Sequence, residues 1–229
     1  MNMWAFGASL LAGVLHGFSM AWPAFAFGDA LGISGQAFGT LQVLSLAGLG
    51  ALLLQAASQE SEFTNFSNVR RPGRTGRKPW VKGFNMAALF ATAAMTSTWG
   101  WLYVSMHQYG GLPSWLACLA VVLLAMALAS YFAMAGGLWV LFYRRWLLNA
   151  SHQEGRYATH PQSHLRKSEF NLAMAGAVLF AALWTLAELA RGQWFTGFPW
   201  GAAGYAHGHS VLATYAPWVG VYGIGAIAA

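Results

Sequence analysis

Trp115–Phe142 reads WLACLAVVLLAMALASYFAMAGGLWVLF, without a single Asp, Glu, Lys or Arg. About 20 predominantly apolar residues in a helix cross the roughly 30 Å of bilayer hydrocarbon. Only a helix or a closed barrel pairs every backbone group there, so a lone stretch of this kind reads as a transmembrane helix. This one is long enough to tilt in the bilayer or project from it. Five further apolar stretches flank it: Trp4–Trp22, Phe38–Ala57, Phe84–Val104, Phe170–Leu189 and Val211–Ala229. Among all six, Glu188 alone introduces an Asp, Glu, Lys or Arg. The expected fold is all-α: one polytopic bundle over residues 1–229, with about six transmembrane helices near 4–22, 38–57, 84–104, 115–142, 170–189 and 211–229.

The composition of the 229 residues supports this. Hydrophobic residues make up 57% and charged residues 8%, against about 25% charged in soluble domains. That excludes a disordered chain, and a single cysteine, Cys118, excludes a disulfide scaffold. Met1–Leu15 carries no Lys or Arg, so the first stretch lacks the basic region of a signal peptide and reads as a retained helix.

Charge sets the orientation. Every Lys and Arg except Arg191 falls in the connection after the second stretch, 58–83, or the one after the fourth, 143–169. Six spans place both connections on one face, and the positive-inside rule makes that face, with the N-terminus, cytoplasmic. Short basic loops of this kind set topology and meet anionic headgroups, so no nucleic-acid partner is expected. Within the first loop, Pro72-Gly73 is a turn signal.

Few residues are suited to chemistry. Glu188 and Arg191 stand at i and i+3 near the outer end of the fifth stretch, a spacing that lets them pair on one helix face. An ionisable group at a membrane boundary is a functional candidate; the same pair serves equally as a helix-end ion pair that fixes span depth. The turn Thr196-Gly197-Phe198-Pro199-Trp200-Gly201 follows. It can line an acyl-chain entrance, or anchor the chain in the interfacial aromatic belt. His107 lies among Trp99, Trp101, Tyr103 and Tyr109, where a belt accounts for most of the pattern. His160 and His164 have a helical ligand spacing, but Pro161 intervenes and Arg156, Arg166 and Lys167 repel a cation; His207 and His209 are no stronger as ligands. No metal site is expected. Gly13 and Gly17 form a G-x-x-x-G that permits close helix contact, and His16 beside them faces another helix. Cys118, in an apolar run, is no nucleophile. No G-x-S-x-G, Walker sequence or zinc-ligand set occurs, and no cofactor is expected.

Two stretches carry a resemblance. Trp99–Pro113 contains WGWLYVSMHQYGGLP, and Leu183–Tyr205 contains E-L-A-R-G-Q-W-F-T-G-F-P-W followed by Gly204-Tyr205. Together, and with Ala216–Gly223 after them, they resemble the membrane half of bacterial apolipoprotein N-acyltransferase. The second pattern is long and specific. The resemblance spans most of Phe84–Ala229 and more loosely the first two spans, while the loop Ser58–Lys82 is longer and more basic than the family pattern.

The resemblance implies a multi-pass enzyme of the bacterial inner membrane. Such an enzyme transfers an acyl chain from a phospholipid donor to the N-terminal diacylglyceryl-cysteine of a lipoprotein. It also implies eight spans and a periplasmic nitrilase-like domain with a Glu-Lys-Cys triad, whose cysteine holds the acyl group as a thioester. No position here matches that triad, so no catalytic residue is assigned in this chain. Residues 1–229 are expected to be the truncated N-terminal membrane part, inactive alone. The matching membrane-motif positions are Glu188, Arg191, Thr196, Phe198, Pro199, Trp200, Gly204 and Tyr205. Their implied role is to shape the periplasmic surface near the lipid entrance. The alternative is a non-enzymatic six-span scaffold or transporter component, though neither intramembrane charge pairs nor repeated broken helices are evident.

Overall fold

A computed structural model describes residues 3–23, 26–58, 78–154 and 162–229. Most of the first basic loop lies outside these residues, as does His160. The side chains of His152, His164 and Thr196 are likewise not described. The described chain is all-helical: α1 (Met3–Met20), α2 (Ala26–Ala30), α3 (Gly39–Ser58), α4 (Pro79–Thr98), α5 (Gly100–Val104), α6 (Ser114–Glu154), α7 (Gln162–Gln193) and α8 (Ala216–Ala228). A π-helical turn, Ser105–Tyr109, and 3-10 turns at Trp194–Thr196, Ala203–His207 and Val211–Tyr215 join them. The protein is a polytopic helical membrane bundle, with five segments long and apolar enough to cross a bilayer.

The expected third span, Phe84–Val104, is not among those five. It breaks at Trp99, whose backbone (φ −99°, ψ 27°) leaves helical geometry between α4 and α5. With Lys82, Asn85 and three threonines, α4 is also less apolar than its neighbours. It occupies the inside of the bundle instead, packed on α6, α1 and α3. A helix lined by protein needs small side chains more than lipid solubility, and α4 buries Gly83, Ala87, Ala91 and Ala94. The G-x-x-x-G of α1 lies against it. A Cβ on Gly17 would stand 2.6 Å from the Ala94 carbonyl oxygen, and one on Gly13 would overlap the Phe90 carbonyl. His16 is buried at 3% exposure. Its Nδ1 lies 3.0 Å from Ser45 Oγ on α3, and its ring meets Phe90 edge-on.

Two expected boundaries change. The connection 143–169 is not a loop at either end: α6 runs on to Glu154 and α7 starts at Gln162. Hydropathy marks where lipid stops, whereas the helix continues through good helix formers. At 41 residues, α6 is about 60 Å long, twice the hydrocarbon thickness. The sixth span is not one helix either. Val211–Tyr215 is a 3-10 turn, Pro217 opens α8, and Gly220 breaks α8 at φ 64°, a backbone conformation available to glycine at little cost.

Large apolar side chains such as Leu119, Leu123 and Met126 point outward from α6, as a lipid solvent requires. Cys118 is exposed on the same helix, so lipid rather than protein surrounds it. Inside, Trp184 stacks on Phe180 and packs against Phe132 and Phe90, and the Trp139 indole donates to the Gly176 carbonyl at 2.8 Å.

The α1–α4 contact generates a prediction. Gly17→Leu overpacks the seam and is expected to lower stability by about 1–3 kcal/mol, whereas Gly7→Ala, with no atom within 4 Å of the new Cβ, is neutral or better. Thermal unfolding in detergent compares them; equal midpoints would refute the close-packed seam.

Candidate functional site

Glu188 and Arg191 come from the last turns of α7 and are both buried, at 3% and 1% exposure. The spacing lets the two groups attract one another, but their hydrogen bonds go elsewhere. Glu188 Oε1 accepts from the Ala203 amide at 2.9 Å. Arg191 Nη1 donates to the carbonyls of Phe198 and Trp200, at 2.5 and 2.9 Å. Each side chain therefore bonds the backbone of the segment that follows. Glu188 Oε2 and Arg191 Nε have no hydrogen-bond partner.

The reason lies in the local fold. Gly197 at φ 74° reverses the chain after α7, and the Phe198 amide returns to the Arg191 carbonyl at 2.8 Å. The segment 197–203 then crosses the end of the bundle without a regular hydrogen-bond ladder. Its carbonyls need donors, because an unpaired buried backbone group costs about as much as a lost hydrogen bond. A guanidinium meets this need for two carbonyls at once.

Two more helices hold the same segment. Gln42 of α3, fully buried, donates from Nε2 to the Ala203 carbonyl at 2.6 Å. The Ala203 residue is thus gripped through its amide by α7 and through its carbonyl by α3. Trp99, at the α4–α5 break, donates from Nε1 to the Trp200 carbonyl at 3.3 Å and packs edge-on against Phe198 with centroids 4.6 Å apart. Gln42 escaped the sequence reading. Its signal was an amide inside an apolar run, where polar groups find partners across helices.

The remaining motif positions divide between inside and outside. Gly204 is buried, and a Cβ there would overlap the Val221 carbonyl of α8; only glycine fits. Phe198 turns inward onto Trp99 rather than outward as a belt residue. Trp200 and Tyr205 are each 60% exposed, and Trp200 meets Trp101 at 6.0 Å. Pro199 is exposed. His207 is buried, and burial pushes its imidazole below the usual histidine pKa. Its Nδ1 lies 3.3 Å from Ser210 Oγ. His107 Nδ1 lies 2.7 Å from the Leu112 carbonyl, which closes the turn into α6. Among the described residues no cluster of three His, Cys, Asp or Glu is placed to hold a metal.

The turn is recessed. Trp194 touches Tyr131 of α6, and Phe195 and Phe198 line a groove with Leu124–Tyr131. Those residues lie about 15–25 Å from the start of α6, well inside its apolar run. Beneath the turn, His16, Trp184, Glu188 and Arg191 border a cavity of about 20 Å³, the space of one water.

Arg191→Met keeps the length of the side chain but strips donors from two carbonyls. The expected cost is about 1–3 kcal/mol per buried group left unpaired, with faster proteolysis between Gly197 and Ser210. An unchanged cleavage rate and melting midpoint would show that the clamp is dispensable.

Comparison with known proteins places the chain. Residues 73–229 match the family described as apolipoprotein N-acyltransferase N-terminal domain. The apolipoprotein N-acyltransferase of Verminephrobacter eiseniae is 39% identical over 226 residues, 99% of this chain and 32% of the relative. That of Ralstonia nicotianae is 38% identical over 82% of this chain and 28% of its own length. That of Nitrosomonas europaea is 34% identical over 67% of this chain and 25% of its own length. The chain spans about a third of the length of the curated relatives it matches. The break at Trp99, the clamped turn after α7 and the 3-10 passage into α8 all fall within the matched region, and the chain belongs to the apolipoprotein N-acyltransferase family.

Proposed function

We propose that this chain forms the membrane part of an inner-membrane enzyme that moves an acyl chain from a phospholipid to the N-terminal diacylglyceryl-cysteine of a lipoprotein. In this reading a Glu-Lys-Cys nitrilase-like domain beyond these residues performs the transfer, and residues 1–229 are inactive by themselves. Covalent catalysis of this type needs an activated thiolate and an oxyanion site, and Cys118 stands exposed in the apolar run of α6.

The observation that carries the proposal is the clamped turn. Three buried polar side chains, Gln42, Glu188 and Arg191, hold 198–203 at the face opposite the basic connections. Trp200 and Tyr205 stand exposed on it. A rigid aromatic floor of this kind orients two lipid-bearing substrates beneath a catalytic domain, and positioning is a large share of any bimolecular rate enhancement. Glu188 and Arg191 act here as positioning residues. Thr196, Phe198, Pro199 and Gly204 give the turn its path, and Trp200 and Tyr205 face the substrates.

Replacing the residue that aligns with Trp200 by Ala in the full-length Verminephrobacter eiseniae relative should lower acyl transfer from phospholipid vesicles to a diacylglyceryl-peptide by about tenfold or more, a loss of about 1.4 kcal/mol in the transition state. Expression and melting should hold, since the ring is exposed. An unchanged rate with unchanged expression would remove Trp200 from the substrate surface. Residues 1–229 in the same assay should give no product; product would overturn the assignment of chemistry to another domain.

A further inference from the structure

We propose that the groove between α6 and the end of α7 seats one phospholipid acyl chain, and that Phe195 is the clamp that determines how the chain is held. This rests on the acyl-transfer reading above and assigns its lipid tail a place.

The groove has a volume of about 390 Å³. One wall is two turns of α6, with Leu124, Ala127, Leu128 and Tyr131; the other is Trp194, Phe195 and Phe198. Its depth selects the occupant. The α6 wall lies within the uncharged run Trp115–Phe142, about 15–25 Å from the start of the helix, where the surroundings are hydrocarbon. A headgroup or a peptide needs many donors and acceptors there, and the lining is mostly apolar, with Ser130, the aromatic rims and the backbone at Gly197 its polar part. A lipid tail needs none.

The backbone supports a built site rather than a chance gap. Irregular backbone at membrane depth is tolerated where it is buried in protein or lines a cavity, and 194–198 is such a segment. Phe195 has φ 52° and ψ 49°, the one non-glycine residue with positive φ among those described. For a side chain with Cβ this costs about 1–2 kcal/mol, and such strain concentrates at ligand clamps. The described residues give the ring little in exchange, since it is 91% exposed among them. Its orientation over the groove mouth is intelligible if a bound chain supplies the missing contact.

The test embeds the chain in vesicles of phosphatidylethanolamine and phosphatidylglycerol, with a small fraction of the phosphatidylethanolamine carrying a diazirine on its acyl chain. After irradiation, mass spectrometry maps the adducts. They should concentrate at Leu124–Tyr131 and Trp194–Phe198, about tenfold per residue over Leu119 and Met134, which face outward on the same helix. Even labelling along α6 would overturn the site. Phe195→Ala, at an exposed position that leaves the bundle intact, should abolish the excess; an undiminished excess would overturn the clamp. The same mapping on the full-length relative separates the two readings. An active relative without groove adducts refutes this inference alone, while groove adducts in a relative that transfers no acyl group refute the acyl-transfer reading alone.

Discussion

The structure depends on keeping a stretch of non-helical backbone satisfied inside an apolar bundle. Between Gly197 and Ala203 the chain has left α7 and not yet begun the next turn, so its carbonyls have no helix to bond. Lipid offers them no water. Arg191 supplies donors to two carbonyls, Gln42 to a third, Trp99 to the Trp200 carbonyl again, and Glu188 receives the Ala203 amide. An unpaired charge would be costly at this burial, and here Glu188 and Arg191 each bond peptide groups that have no helix partner. Remove the clamp and the end of α7, the seat of Trp200 and the approach to α8 lose their common reference.

Everything around the clamp is arranged to let helices reach it. The small residues of α1 and α4 bring those helices within backbone contact, which carries Trp99 to the turn. On the other side, α3 passes close enough for Gln42 to touch a residue 161 positions away in sequence. The indole that bonds the Trp200 carbonyl sits at the break itself, where α4 gives way to α5.

This geometry explains how one segment can be held from inside and still present exposed aromatic rings. The inward side of the turn is polar and bonded to three helices; the outward side is aromatic and open. Its recessed position against α6 sets Phe195 and Phe198 beside Leu124, Leu128 and Tyr131.

Much of the fold was legible from the residues alone. Uncharged runs such as Trp115–Phe142 are helical in lipid because nothing else pairs their backbone, and the two basic connections state which ends share a face. The motif from Glu188 to Tyr205 was visible as a unit, because its unusual residues are contiguous. What these residues do to each other was not. The i, i+3 spacing of Glu188 and Arg191 suggests a mutual pair, since helix geometry is all that local sequence encodes. Tertiary structure supplied both with hydrogen-bond partners on the backbone of the following segment, while the two still attract each other. Gln42 went unnoticed for a related reason: its partner is remote in sequence, and only packing brings α3 to Ala203. The division between Phe198 inside and Trp200 outside, and the broken courses of α4–α5 and α8, were likewise decided by contacts. Hydropathy records a residue's preference for lipid over water, and in a bundle immersed in lipid that preference does not distinguish the protein interior from its surface.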